Sequence, residues 1–109
     1  MPKRSKSLAA FIRDYLDDHG DAYVLELKRA HDEFCESNGY PCTSYDQVRS
    51  TVWMLRQLNL IEQSRTEPAG SGAIEDRRYY TLTPGAMSRD WSDVRGQVDE
   101  KRKTGTIRQ

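Results

Sequence analysis

Four side chains in this 109-residue sequence have types that bind metals or exchange electrons: His19, His31, Cys35 and Cys42. His31 and Cys35 stand four apart, one helical turn, and Cys42 follows across a turn containing Gly39 and Pro41. With His19 as a fourth ligand, such a set could ring a metal ion. It lacks the C-x-x-C pair of most structural zinc sites, and two buried thiols beside a core histidine are the commoner meaning of the pattern. The reading is therefore no metal and no cofactor, with a Cys35–Cys42 disulfide as the redox alternative. Gly70-Ser71-Gly72 lacks the following Lys and helix of a phosphate loop. Asp17 and Asp18 form a carboxylate pair on a polar helix face with no cleft implied. Nothing in the chain assembles a catalytic constellation, and it reads as a non-enzyme.

The remaining chemistry is ionic, and its distribution matters more than its sum. There are 17 Lys plus Arg against 17 Asp plus Glu, a formal charge of zero. Residues 1–13 carry Lys3, Arg4, Lys6 and Arg13 and no acid. Residues 14–46 hold nine acids against Lys28 and Arg29, and residues 47–109 hold eleven bases against eight acids. The ends are basic and the second quarter is acidic, so different surfaces have different partners, or the acidic helix faces are merely solvated. No apolar run approaches the ~18–20 residues of a membrane helix. The basic N-terminus leads into an amphipathic pattern and not into a signal-type apolar block. Two Cys are too few for a disulfide scaffold. The composition points to one small intracellular domain with no membrane partner.

The elements that must carry these residues follow from periodicity. Leu8, Phe11, Ile12, Tyr15 and Leu16 form the stripe of a helix, with Ser7 as N-cap and Gly20 as stop. Ala22-Tyr23-Val24 is a short β-prone stretch, and 25–37 reads as a second helix with Leu27, Ala30, His31 and Phe34 inward. Asn38-Gly39 ends it, and Tyr40-Pro41 enforces an extended turn. Ser44 with Gln47 matches a capping box at the head of a third helix, whose inner stripe is Val48, Val52 and Leu55, flanked by Thr51 and Leu58. Asn59 suits a left-handed closing residue. Residues 60–66 and 77–83 read as two strands joined by a polar tip around Pro68-Ala69-Gly70-Ser71-Gly72. After Pro84-Gly85, the spacing of Met87, Trp91, Val94 and Val98 predicts a fourth amphipathic helix, interrupted by Gly96.

On a helical wheel of about 100° per residue, Asp46, Ser50, Trp53 and Gln57 point away from the inner stripe of the third helix, with Gln47, Arg49 and Met54 on its flanks. The element order, helix–strand–helix–turn–helix–strand–loop–strand–helix, resembles the winged-helix domain of transcriptional regulators over residues 7–98. The segment from Thr43 to Ile61 is similar to a recognition helix running into the first wing strand, with Asn59 where that family usually has glycine. Arg77-Arg78-Tyr79-Tyr80-Thr81-Leu82-Thr83-Pro84-Gly85 is similar to the wing exit of PadR-type regulators, although the second helix lacks their Tyr-Gly-Tyr-type segment.

The resemblance implies an α+β, mostly α, winged helix-turn-helix fold of three helices and a β-hairpin wing, with an additional C-terminal helix. It divides the chain into a basic arm (1–6), a DNA-binding domain (7–84), a dimerising helix (85–98) and a charged flexible tail (99–109). It implies double-stranded DNA as partner, a repressor-type role and a cytoplasmic, nucleoid-associated location. Gln47, Arg49 and Ser50 become base readers, because bidentate Arg reads guanine and Gln reads adenine. Thr43 and Ser44 at the helix N-terminus suit a phosphate. Arg65, Arg77 and Arg78 on the wing, and Lys3, Arg4 and Lys6 on the arm, would meet the DNA backbone. Met87, Trp91, Val94 and Val98 would pair two copies over a palindromic site, the alternative being that the helix folds back over its own domain. Trp53 is the anomaly, since a large ring is costly to leave wet. It packs on the fourth helix or a partner subunit, belongs to a protein-binding face, or meets thymine methyls, in that order. Asp46 and the wing acids Glu67, Glu75 and Asp76 repel phosphate. They sustain the alternative of a winged helix used as a protein-interaction module.

Overall fold

The computed structural model describes residues 7–68 and 77–103. The arm residues Lys3, Arg4 and Lys6, most of the hairpin tip with Glu75 and Asp76, and the end of the tail lie outside them. Among the described residues the elements are α1 (Leu8–His19), β1 (Asp21–Tyr23), α2 (Val24–Asn38), α3 (Tyr45–Gln57), β2 (Ile61–Glu67), β3 (Arg77–Leu82), a single 3-10 turn (Ala86–Ser88) and α4 (Val94–Lys103). The fold is α+β: four α-helices and one three-stranded antiparallel sheet of order β1-β3-β2. Among the described residues no helix is long and apolar enough to cross a membrane.

Local chemistry sets the helix ends where the sequence predicts them. The Ser7 hydroxyl accepts the Ala10 N–H at 3.1 Å, and Gly20 (φ 90°) closes α1. Gly39 takes the left-handed conformation (φ 70°) after α2, a backbone state that costs glycine nothing. At the head of α3 the capping box forms in full: Ser44 Oγ accepts Gln47 N–H, and Gln47 Oε1 accepts Ser44 N–H, each at 3.1 Å. Asn59 closes the helix region at φ 59°, the state that asparagine tolerates better than most residues.

The core lies between α1, α2, α3 and the inner sheet face. Ile12 and Leu16 from α1, Leu27 from α2, Val48, Val52 and Leu55 from α3, Leu58 at its C-cap, and Leu60, Ile61 and Tyr80 from the sheet region are all buried. Each large aliphatic side chain removed from water contributes about 1.5–3 kcal/mol before entropy is counted. Beside the core, the Tyr15 hydroxyl donates to Glu26 Oε2 at 2.6 Å and ties α1 to α2. Burial first, and the Glu26 carboxylate second, push the Tyr15 pKa up to about 12.

The sheet register sorts the hairpin's side chains. Ala22, Tyr80 and Gln63 stand opposite one another across the three strands, as do Tyr23, Tyr79 and Arg65 on the other face. A bulge at Ser64, between Gln63 and Arg65, keeps both sets in phase.

Beyond β3 the chain departs from the expected fourth helix over 85–98. After the 3-10 turn, Asp90 accepts hydrogen bonds from Ser92 N–H and Oγ–H, a local arrangement that competes with helix. The helix begins only at Val94, where Asp93 (φ 44°) accepts the Gly96 N–H at 3.2 Å. A Cβ at position 96 would collide with that carboxylate, so the glycine that interrupts the pattern is what the cap requires. The helix then runs on through Lys103, into part of the expected flexible tail.

The same region corrects the dimerising stripe. Trp91 (4% exposed), Val94 (9%) and Val98 (2%) are packed in this chain's own core, and Trp91 Nε1–H donates to Ala86 C=O at 2.8 Å. Only Met87, at 48%, stays exposed. In this small domain these three side chains serve the chain's own core, and Met87 is left at the surface.

Candidate nucleic-acid interface

Helix α3 presents an exposed ridge because its inner face is fully used. Tyr45, Asp46, Arg49, Ser50 and Trp53 are exposed, while Val48, Thr51, Val52, Met54 and Leu55 are buried. Met54, expected on the flank, is core. One side of the ridge faces the hairpin across a groove of about 910 Å³, lined by Tyr23, Val24, Leu25, Tyr45, Arg49, Gln63, Thr66, Arg77, Arg78 and Tyr80. Arg49 from α3 and Arg77 and Arg78 from β3 all contribute to the groove's lining, but neighbouring strand residues point to opposite faces: Arg78 shares the face of Tyr80, and Arg77 shares the face of Tyr79 and lies over Tyr23. No Asp or Glu is among the groove's described lining residues. Arg77 lies over the Tyr23 ring at 4.9 Å and within 3.8 Å of Glu67, so its charge is shared between ring, carboxylate and groove.

The other predicted phosphate-binding groups are engaged elsewhere. Arg65 donates from Nε to Asp21 Oδ2 at 2.9 Å and from Nη1 to Glu67 Oε2 at 3.1 Å, and stacks 3.7 Å over the Tyr79 ring. The hydrogen bond to Asp21 pushes its pKa further up. Its register puts it on the sheet face away from the α3 groove, so it braces the sheet. Ser44 and the Gln47 amide oxygen are committed to the capping box. Thr43 shares a 2.8 Å hydrogen bond with His31 Nδ1, which fixes the turn between α2 and α3.

His31 is buried against the rings of Phe11 and Phe34, and its pKa is lowered, with desolvation the leading cause. Cys35 Sγ lies 3.7 Å from both His31 ring nitrogens, and burial pushes its thiol pKa up. Both cysteines are free thiols, Cys35 buried and Cys42 exposed. Among the described residues no three His, Cys, Asp or Glu side chains are grouped to hold a metal.

Trp53 is 37% exposed, and the Arg102 guanidinium of α4 lies over its ring at 5.3 Å. This is the contact with the fourth helix anticipated first. The sequence reading missed Tyr45 and Leu25, at 45% and 40% exposed, which form the groove's apolar rim. Tyr45 could have been found, since it stands one turn before Arg49 on the same side of α3.

The structure puts Arg49, Arg77 and Arg78 in the lining of one groove, leaves Ser50 and Trp53 on the adjoining ridge, and holds Arg65 and Arg77 on either side of Glu67. Comparison with protein-family models, with curated proteins and with solved structures finds no match to this chain.

Proposed function

We propose that this chain is a winged-helix protein that binds double-stranded DNA and acts as a transcriptional regulator of repressor type. The observation that carries the reading is the groove lined by Arg49, Arg77 and Arg78 and, among the described residues, by no Asp or Glu. A helix with an exposed polar ridge and a cationic hairpin at its side matches what a duplex presents: base edges in the major groove and phosphates along its rim. In this reading α3 enters the major groove, Arg49 pairs with guanine O6 and N7, Ser50 meets an adjacent base, and Arg77 and Arg78 hold the backbone. Gln47 serves the helix cap first. Occupying operator DNA would exclude polymerase, on the nucleoid in the cytoplasm. The reading needs no second copy, because the α4 stripe is spent on the core.

Mobility shifts on DNA flanking the protein's own gene, at graded salt, test it. A preferred fragment is expected, with Arg49→Ala weakening binding by about 1–3 kcal/mol on that fragment. The exposed Leu25 and Tyr45 beside the arginines, and Asp46 on the ridge, favour a second reading as a protein-interaction module. That reading gains if no fragment is preferred and neither Arg49→Ala nor Ser50→Ala changes binding.

A further inference from the structure

The ridge of α3 has two neighbours, and only one is the hairpin. On the hairpin side, Arg56 lies over the Tyr80 ring at 5.3 Å, and Tyr45 and Arg49 line the groove with Arg78. On the other side runs the last turn of α4. Lys101 Nζ donates to Gln57 C=O at 3.5 Å, and Arg102 lies over Trp53. At about 100° per residue, Tyr45 and Arg56 fall to one side of Arg49, and Trp53 and Gln57 to the other. The exposed ridge therefore runs between two cationic flanks, Arg78 on the hairpin and the Lys101-Arg102-Lys103 turn.

Basic residues in a last helical turn ordinarily complement the negative end of the helix dipole. That accounts for their presence at the end of α4 but not for where α4 delivers them. Val94 and Val98 anchor the helix in the core, which brings its basic turn alongside α3. On the same wheel Glu100 points to the side of α4 opposite Val98, while Arg102 falls on the α3 side. Exposed Lys103 stands about 140° from Val98, where its long stem must reach round toward a ligand on α3. The guanidinium stacks on an aromatic face, where its N–H edge stays directed outward toward an acceptor. Trp53 then has a role that explains a large ring on a polar ridge: it is the platform that holds Arg102.

We propose that the last turn of α4, through Arg102 and Lys103, is a second phosphate-binding element, gripping the DNA backbone on the side of α3 opposite Arg78. This rests on the DNA-binding reading above. A duplex seated on α3 would have one strand's phosphates against the hairpin and the other's against α4.

The test is fluorescence anisotropy with a labelled random-sequence duplex across a salt titration, comparing wild type, Arg49→Ala, Arg102→Lys and the double variant Arg102→Gln/Lys103→Gln. Both substituted side chains are exposed, so circular dichroism should show an unchanged fold. Each lost phosphate contact should flatten the log–log salt dependence by about 0.9, hence by about 1.8 for the double variant. Arg102→Lys, which keeps the charge, should retain most of the slope. If Arg49→Ala weakens binding while the double variant keeps the wild-type slope, the α4 element is refuted and the DNA reading stands. If the wild type binds no duplex at any salt, the DNA reading falls and the α4 element with it.

Discussion

Arg49 and Arg65 carry the same guanidinium and have different uses. Arg65 is held by Asp21, Glu67 and the Tyr79 ring, and so stiffens the sheet. Arg49 lines an open groove beside two more arginines. The distinction lies in strand register, because a one-residue shift would move Arg65 to the opposite sheet face. His31 shows the same dependence on setting. Its ring sits among Phe11, Phe34, Cys35 and Thr43, with Lys28 and Asp32 acting on its charge, and its pKa is lowered from the ordinary 6.5. The unfolded chain therefore binds a proton near pH 6.5 that the native chain resists. Stability falls as pH drops below that point, by at most about 1.4 kcal/mol per pH unit from this one group. Urea titrations at pH 7.5 and 5.5 should show the loss, and His31→Gln should reduce it. An equal loss in the variant would remove His31 as the cause.

At the scale of elements, α4 is where sequence and structure part company. The apolar spacing from Met87 to Val98 is a true helical period, but Asp90, Ser92 and Asp93 bond locally and delay the helix to Val94. A stripe says that a face is buried, not against what, and here the burying surface is this chain's own core. Trp91→Glu should therefore unfold the domain and not split a dimer. Truncating a buried Trp costs about 3–5 kcal/mol, and a buried carboxylate adds to that. Thermal melts beside sedimentation are the check; a folded variant that merely halves its mass would reinstate the dimer seam. The first three helices and both long strands were legible because caps, turn residues and periods agree there, as at Ser7, Ser44 with Gln47, Gly39 and Asn59. The exposure of Arg49, Ser50, Arg77 and Arg78 was legible for the same reason. Arg65, Thr43 and Gln47 were not, since their partners Asp21, His31 and the Ser44 N–H are fixed by register, tertiary contact or the cap itself.

At the scale of the molecule, zero net charge hides an orientation. Helix α3 packs inward on α1 and α2, so its ridge faces away from the helices that carry the acidic quarter of the chain. Asp17, Asp18, Glu33 and Glu36 are exposed on those helices. Packed helices stand about 8–10 Å apart, and the Debye length at physiological salt is about 8 Å, so a whole helical layer of protein separates these acids from anything seated on α3. Asp46 is different, because it shares the ridge with Arg49, three residues away. Neutralising Asp46 should therefore raise affinity for a random-sequence duplex by about two- to fivefold near 0.1 M salt, while Asp17→Asn/Asp18→Asn should change it by less than about twofold. Asp46→Asn also gives up a favourable charge in the first turn of α3, costing about 0.3–1 kcal/mol of stability, so melts must accompany the anisotropy. If the distal pair matches the Asp46 gain, the duplex does not meet the protein at α3. If only Asp46 responds, the neutral chain is a dipole whose basic side is the one that meets DNA.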